Sequence, residues 1–226
     1  MTELDQLLIT LQHGDSVFPS GALSFSWGLE QLASDGVVAS AADIERFLDQ
    51  QLRLRWAGCD RAVLTAAYHA GDDLDRVVEA DTVLDAMTLP HALRAGSTRA
   101  GAALLSVHLR LKSPRAAAYD HRIRDGAAPG HLAVVQGLLW GGLGLDAATA
   151  AAMSGYGFAI AVLSAAVRLG LIGHLAAQEI LSAVRPTVAA LCAAPVPPLS
   201  ALSSYAPLAD IAAMRHETAD LRLFVN

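Results

Sequence analysis

The chain has 226 residues, of which 54% are hydrophobic, with a formal net charge of −6 and two cysteines. A core of this size buries about three quarters of the unfolded surface, so folding needs neither disulfides nor a structural metal. The acidic balance excludes a general nucleic-acid binder, whose affinity comes from Lys and Arg neutralising phosphates; Cys59 and Cys192, 133 positions apart, suit a reducing cytoplasm rather than a disulfide framework.

Apolar residues recur at helical spacing almost throughout, with no sustained two-residue alternation. The expectation is an all-α fold: one helical bundle of roughly ten helices over residues 1–226. The opening "MTELDQLLIT" carries acids where a signal peptide carries basic residues, which argues against export. The next stretch, "HGDSVFPSGALSFSWGLEQL" over residues 13–32, is written like a reactive loop. Its Gly14-Asp15-Ser16 tripeptide carries the nucleophile in one family of serine esterases, which makes a GDS-type esterase using Ser16 one alternative function. Such a serine needs a base and an oxyanion-holding donor pair. The base would come from a DxxH pair, whereas Asp210 and His216 are six apart. Glycines 14, 21 and 28 lack phosphate-loop spacing, and Lys112 is the only lysine. The stretch reads better as a turn broken by Pro19 and Gly21, with Asp15 and Ser16 as turn and cap residues. It feeds a helix from about Ser24 in which Phe25, Leu29 and Leu32 face the core and Gly28 admits another helix closely.

Ser40, with an acid three residues on, starts an amphipathic helix. Ile44, Phe47, Leu48, Leu52 and Leu54 form its apolar face, and Asp43, Glu45, Arg46, Asp49 and Arg53 its wet one. A long helix with small residues on one side follows Leu89, with Pro90 in its first turn. Ser113 before Pro114 signals another start. The segment from Arg110 to Arg124 sets five basic residues against Asp120, either a solvated helix pair or a docking face for an acidic partner. Asp146 then opens 21 uncharged residues, long enough to span a bilayer. Their Ala, Gly, Ser and Thr gain little from lipid, and a central helix is also apolar on all sides. A buried helix is favoured, and a small helical membrane protein stays open as a second alternative. Four prolines within residues 192–207 interrupt the pattern before a last short helix, "LADIAAMRHET". The histidines at 13, 69, 91, 108, 121, 131, 174 and 216 show no HxH, HxxH or HExxH pairing, so no stable metal site is expected.

Three segments together resemble the urease accessory protein UreF family: "DSVFPSGALSFSWGLEQL", "AAVRLGLIGHLAAQEIL" at 165–181, and the ending "DIAAMRHETADLRLFVN". The chain departs from the family pattern at Ala22-Leu23 and at Val225-Asn226. The resemblance implies a non-enzymatic, all-helical, usually dimeric scaffold in the cytoplasm. Its partners are the accessory protein UreD (also called UreH), the GTPase UreG and the urease apoprotein, and the complex inserts nickel in a GTP-dependent way. It implies no tightly bound cofactor, with nickel passing in transit, and neither nucleic acid nor membrane as partner. Its motifs match His216, Glu217, Arg222, Leu223 and Phe224 in the tail and Arg168, His174 and Gln178 upstream, which become candidate partner-interface residues. The tail, 217–226, is expected to order on UreD, an aromatic and an arginine being good interface anchors; the competing reading folds Phe224 onto the chain's own core. Arg168 is either buried with a partner or presented at a contact face.

Overall fold

Short polar side chains hold the first free N–H groups of several helices. Thr2 and Asp5 close a capping box on α1 (Glu3–Gly14), and Ser40 and Asp43 do the same for α3 (Ala41–Gln51). Asp73 caps α5 (Leu74–Met87) and Asp146 caps α9 (Ala147–Arg168). The remaining helices are α2 (Leu29–Ser34), α4 (Arg61–Ala70), α6 (His91–Arg110), α7 (Ala116–Arg124), α8 (Leu132–Gly142), α10 (His174–Ala193) and α11 (Pro207–His216). The structure, a computed structural model, describes residues 2–15, 17–19, 25–218 and 223–224. Among these residues the fold is all-helical, with eleven α-helices and no strand.

The helix starting after Ser40 does not end at Gln51. It runs without a cap through a π-helical segment, Leu52–Asp60, into α4. A π-turn closes over five residues, so positions i and i+5 come to one face. That brings Arg55 and Asp60, both buried, to 3.6 Å from each other. It also turns Leu54, expected on the apolar face, out to 44% exposure.

Two apolar clusters fill the interior. The first joins α2, α3, the second half of α9, α10 and α11 around Trp56, Phe158 and Ile180. The second joins α4 to α8 and the first half of α9 around Leu64, Tyr119, Leu138 and Met153. Helix α9 serves both, and 67% of its most apolar window is buried by protein, so its hydrophobicity is that of a core helix. It is the one helix among the described residues long and apolar enough to cross a membrane. At Gly137 a side chain would run into the backbone of Leu64, so α8 and α4 touch backbone to backbone.

Three helix starts move from their expected places. Trp27 and Gly28 both have left-handed backbones, φ 55° and 81°, so α2 begins at Leu29; Ser24 lies outside the described residues. Phe25, Leu29 and Leu32 are buried as expected. Helix α7 begins at Ala116 behind a left-handed Arg115, and Ser113 instead meets the His108 ring, Oγ to Nδ1 at 2.9 Å. Pro90 is the N-cap of α6 and not a first-turn residue.

Candidate functional site: a carboxylate latch for the C-terminal segment

The left-handed turn at Trp27-Gly28 aims α2 along α11. A side chain on Gly28 would meet the carbonyl oxygen of Ala209 at 2.6 Å, so glycine is required by both the turn and the approach. With the two helices this close, Glu30 in the first turn of α2 faces His216 in the last turn of α11, Oε2 to Nε2 at 2.8 Å. The same carboxylate accepts the backbone N–H groups of Leu223 at 2.7 Å and of Phe224 at 3.1 Å. Glu217 accepts the free N–H of Ala92, tying the end of α11 to the start of α6. At the rim Arg215 pairs with Asp35, whose carboxyl is held below its usual range by the Arg215 and Gln31 hydrogen bonds.

The ring of Phe224 is 3% exposed and belongs to the first apolar cluster, while Leu223 beside it is 65% exposed. The Arg168 guanidinium lies 4.3 Å over the Phe224 ring, a cation–π contact. Of the readings left open for these residues, Phe224 therefore folds onto its own core, and Arg168, exposed, stacks on that aromatic. His174 and Gln178 lie exposed on the first turns of α10, beside Leu175 at 75% exposure. Arg222 lies outside the described residues. A shallow cleft of about 340 Å³ opens among Glu30, Ala33, Ser34, Leu169, Leu171 and His216. The three motif segments thus meet at one end of the molecule, with Glu30 from the first, Arg168 and Leu169 from the second, and His216 and Phe224 from the third.

Glu30 was not among the sequence candidates. The signal was present in "WGLEQL", but its partner His216 is 186 positions away, and no local pattern links them.

Elsewhere the chemistry is quieter. Burial, with the charge of Asp60, pushes the Cys59 thiol up to about 12, the opposite of an activated thiolate. Among the described residues no group of three His, Cys, Asp or Glu side chains comes together as a metal ligand set. The basic segment is largely neutralised: Arg115 pairs with Asp72, Arg122 with Asp75, Arg124 with Asp120 and His121 with Asp125. That matches the solvated reading better than an acidic-partner dock. Ser16 lies outside the described residues, and the histidine weighed as its base gives its Nε2 to Glu30.

The family model for UreF matches residues 38–185. Over 225 residues, the chain is 32% identical to the urease accessory protein UreF of Yersinia pseudotuberculosis serotype IB (strain PB1/+), covering 97% of this chain and 98% of that protein. The same identity and coverage hold for the urease accessory proteins UreF of Yersinia enterocolitica serotype O:8 and Yersinia pestis (strain Pestoides F). A match of this extent, on a helical chain whose three motif segments converge, leads to one assignment: the chain belongs to the UreF family of urease accessory proteins.

Proposed function

We propose that the chain is a cytoplasmic, single-domain scaffold of urease maturation that works as a homodimer and joins UreD (UreH) and the GTPase UreG on apo-urease for GTP-dependent nickel insertion. It turns over no substrate and holds no resident cofactor, nickel being cargo in transit. The observation that supports this reading most is the convergence of the three motif segments on one surface. That surface pairs an anchored aromatic, Phe224, with the exposed Leu223 next to it, and the second motif adds the exposed His174 and Gln178 on α10. A partner there gains buried area from Leu223 and Leu175 on a surface already ordered by Glu30, which lowers the entropic cost of binding. His216 and Glu217 act beneath that surface, orienting the segment, with Arg168 steadying the ring.

Co-expression with UreD and UreG followed by size-exclusion chromatography tests the reading, which expects one stoichiometric complex. Deleting residues 217–226 abolishes UreD capture while leaving helical content intact. Because that deletion also strips Phe224 from the core, Leu223→Asp gives the cleaner test: capture is lost with the melting temperature unchanged. Undiminished UreD capture by both variants would remove the C-terminal segment from the interface.

A further inference from the structure

We propose that the stacked rings of His13 and His108 are an acid-sensitive clasp, so that protonation of either ring releases α1 from the body of the fold. The proposal does not rest on the maturation role; it follows from how the end of α1 is held.

Helix α1 is weakly fastened. None of its residues is buried; Gln6, Ile9, Thr10 and His13 are half-buried, and Leu4, Leu7, Leu8 and Leu11 are 53–63% exposed. Ile9 packs on the second apolar cluster, and Gln6 Nε2 donates to the carbonyl oxygen of Gly144 at a long 3.4 Å. Its last turn is held by rings. His13 stacks on His108, in the last turn of α6, with centroids 5.1 Å apart and planes at 27°. Phe18 lies against both, 4.6 Å from the His13 ring and 6.0 Å from that of His108.

This contact suits two neutral rings and no others. His13 Nδ1 lies 2.9 Å from the carbonyl oxygen of Ile9, which can only accept, so that nitrogen carries the proton of the neutral ring. The Ser113 hydroxyl, 2.9 Å from His108 Nδ1, serves that nitrogen in either protonation state. Both Nε2 atoms are buried without a hydrogen-bond partner, and His108 is 0% exposed. A charged ring of either residue therefore carries an Nε2–H that nothing receives, in a site closed to water.

No acid answers the charge. On α1 the acids are Glu3 and Asp5, at the opposite end of the helix, and the Asp15 carboxylate accepts the backbone N–H of Val17. Asp146, before α9 on which α1 packs, holds Thr149. Of the helices against α6, α8 carries no titratable side chain, α7 commits Tyr119 to Asp81 and Asp120 to Arg124, and α11 ties to the far end of α6 at Ala92. Arg110 and Lys112, just past His108, add positive charge. By contrast, the buried His131 and His216 each face a carboxylate, Asp85 at 3.1 Å and Glu30 at 2.8 Å.

The sign follows. Burial and the neighbouring His13 hold His108 down to about 4, and burial lowers His13. Both values are depressed while α1 is docked, so the clasp is at full strength above the free value of 6.5 and weakens as pH falls towards the docked values. For His108 alone, the ratio of released to docked helix rises roughly 30-fold between pH 7.5 and pH 5, and His13 adds to it. Release also takes Ile9 off the second cluster.

Hydrogen exchange of the full-length chain at pH 7.5, 6 and 5, corrected for the intrinsic pH dependence of exchange, tests the clasp. Amides of α1 should lose protection by about tenfold or more at pH 5 while those of α8 keep theirs. Wild-type ring titrations followed by NMR should place both His13 and His108 below the ordinary histidine range. His13→Leu, which cannot charge, should shrink the loss several-fold, and adding His108→Gln, which can still bond Ser113, should make α1 protection flat with pH; helicity is checked in both. Ordinary titration of the two rings, α1 protection unchanged at pH 5, a loss shared equally by α8, or a loss of full size in His13→Leu would each overturn the clasp.

Discussion

Glu30 and Asp81 each gather three hydrogen-bond donors from segments remote in sequence, in opposite surroundings. Asp81 is fully buried and accepts from the Tyr119 hydroxyl at 2.6 Å and from the backbone N–H groups of Gly130 and His131 at 2.6 and 3.0 Å. Its donors belong to α7 and the loop entering α8, which the second cluster holds in place whatever the carboxylate does. Glu30, 12% exposed at its side chain, takes two of its three donors from chain that follows the last helix. Loss of Asp81 leaves buried donors with no alternative partner, whereas loss of Glu30 lets a terminal segment turn to water. The same chemistry is therefore a structural fixture in one place and a releasable latch in the other.

Four changes would break or sharpen this contrast. The largest effect is expected for Asp81→Ala, which orphans three buried donors at once. At about 1–3 kcal/mol for each unsatisfied group, discounted for relaxation, the loss is about 4 kcal/mol, read by urea unfolding, and the melting temperature falls by roughly 10 °C. Next, Phe224→Ala empties a buried aromatic site at the end of the chain. Core Phe→Ala changes cost about 3–5 kcal/mol, and with a terminal segment free to retract the loss here is about 2 kcal/mol. A cost matching Asp81→Ala would place the segment in the fold proper and erase the distinction. Glu30→Gln keeps the shape of the latch but weakens its three bonds, for about 1 kcal/mol. Hydrogen exchange at Leu223 and Phe224 should rise while the amides of α8 stay protected.

The smallest effect is in acid, where the two ends respond with opposite sign. The Asp35 carboxyl is held below its ordinary value by Arg215 and Gln31, so its contribution is present above the unfolded value of 3.8 and lost as pH falls through the lower folded value. Burial raises the Asp81 carboxyl despite its three donors, so its contribution is complete below 3.8 and declines only as pH rises through the higher folded value. Limited pepsin digestion between pH 4 and pH 2 should cut around α2 and α11 before the segments around Asp81. Asp35→Asn should remove that acid sensitivity. Simultaneous cleavage at both ends would show that one cooperative unit spans the two carboxylates.

Much of the fold was legible in local pattern. The Ser40 and Asp146 caps, the apolar faces after them and the last short helix need only neighbours within about two turns, and these are where expectation and structure agree. The misses share one cause. Leu54 left the apolar face because a π-turn changed the helical register, and α2 started late because two consecutive left-handed residues precede it. Both are backbone choices settled by packing, at Trp56 and at α11 respectively, rather than by the residues' own preferences.

The candidate site divides along the same line. Its motifs could be found in the sequence, and with them the family, because a helical chain carrying three ordered segments is specific enough. Which of those residues point inward could not. Phe224 and Leu223 are adjacent and both apolar, yet one is 3% exposed under Arg168 and the other 65% exposed. By itself the sequence determined an all-helical class and the helix starts behind Ser40 and Asp146, and it favoured burial of α9 without closing the membrane alternative, since these follow from periodicity, capping chemistry and composition. Only the tertiary structure decided that Glu30 reaches His216 and the C-terminal segment, and that His13 reaches His108. Those meetings depend on where chains 186 and 95 residues apart are brought by packing, which no short-range preference encodes.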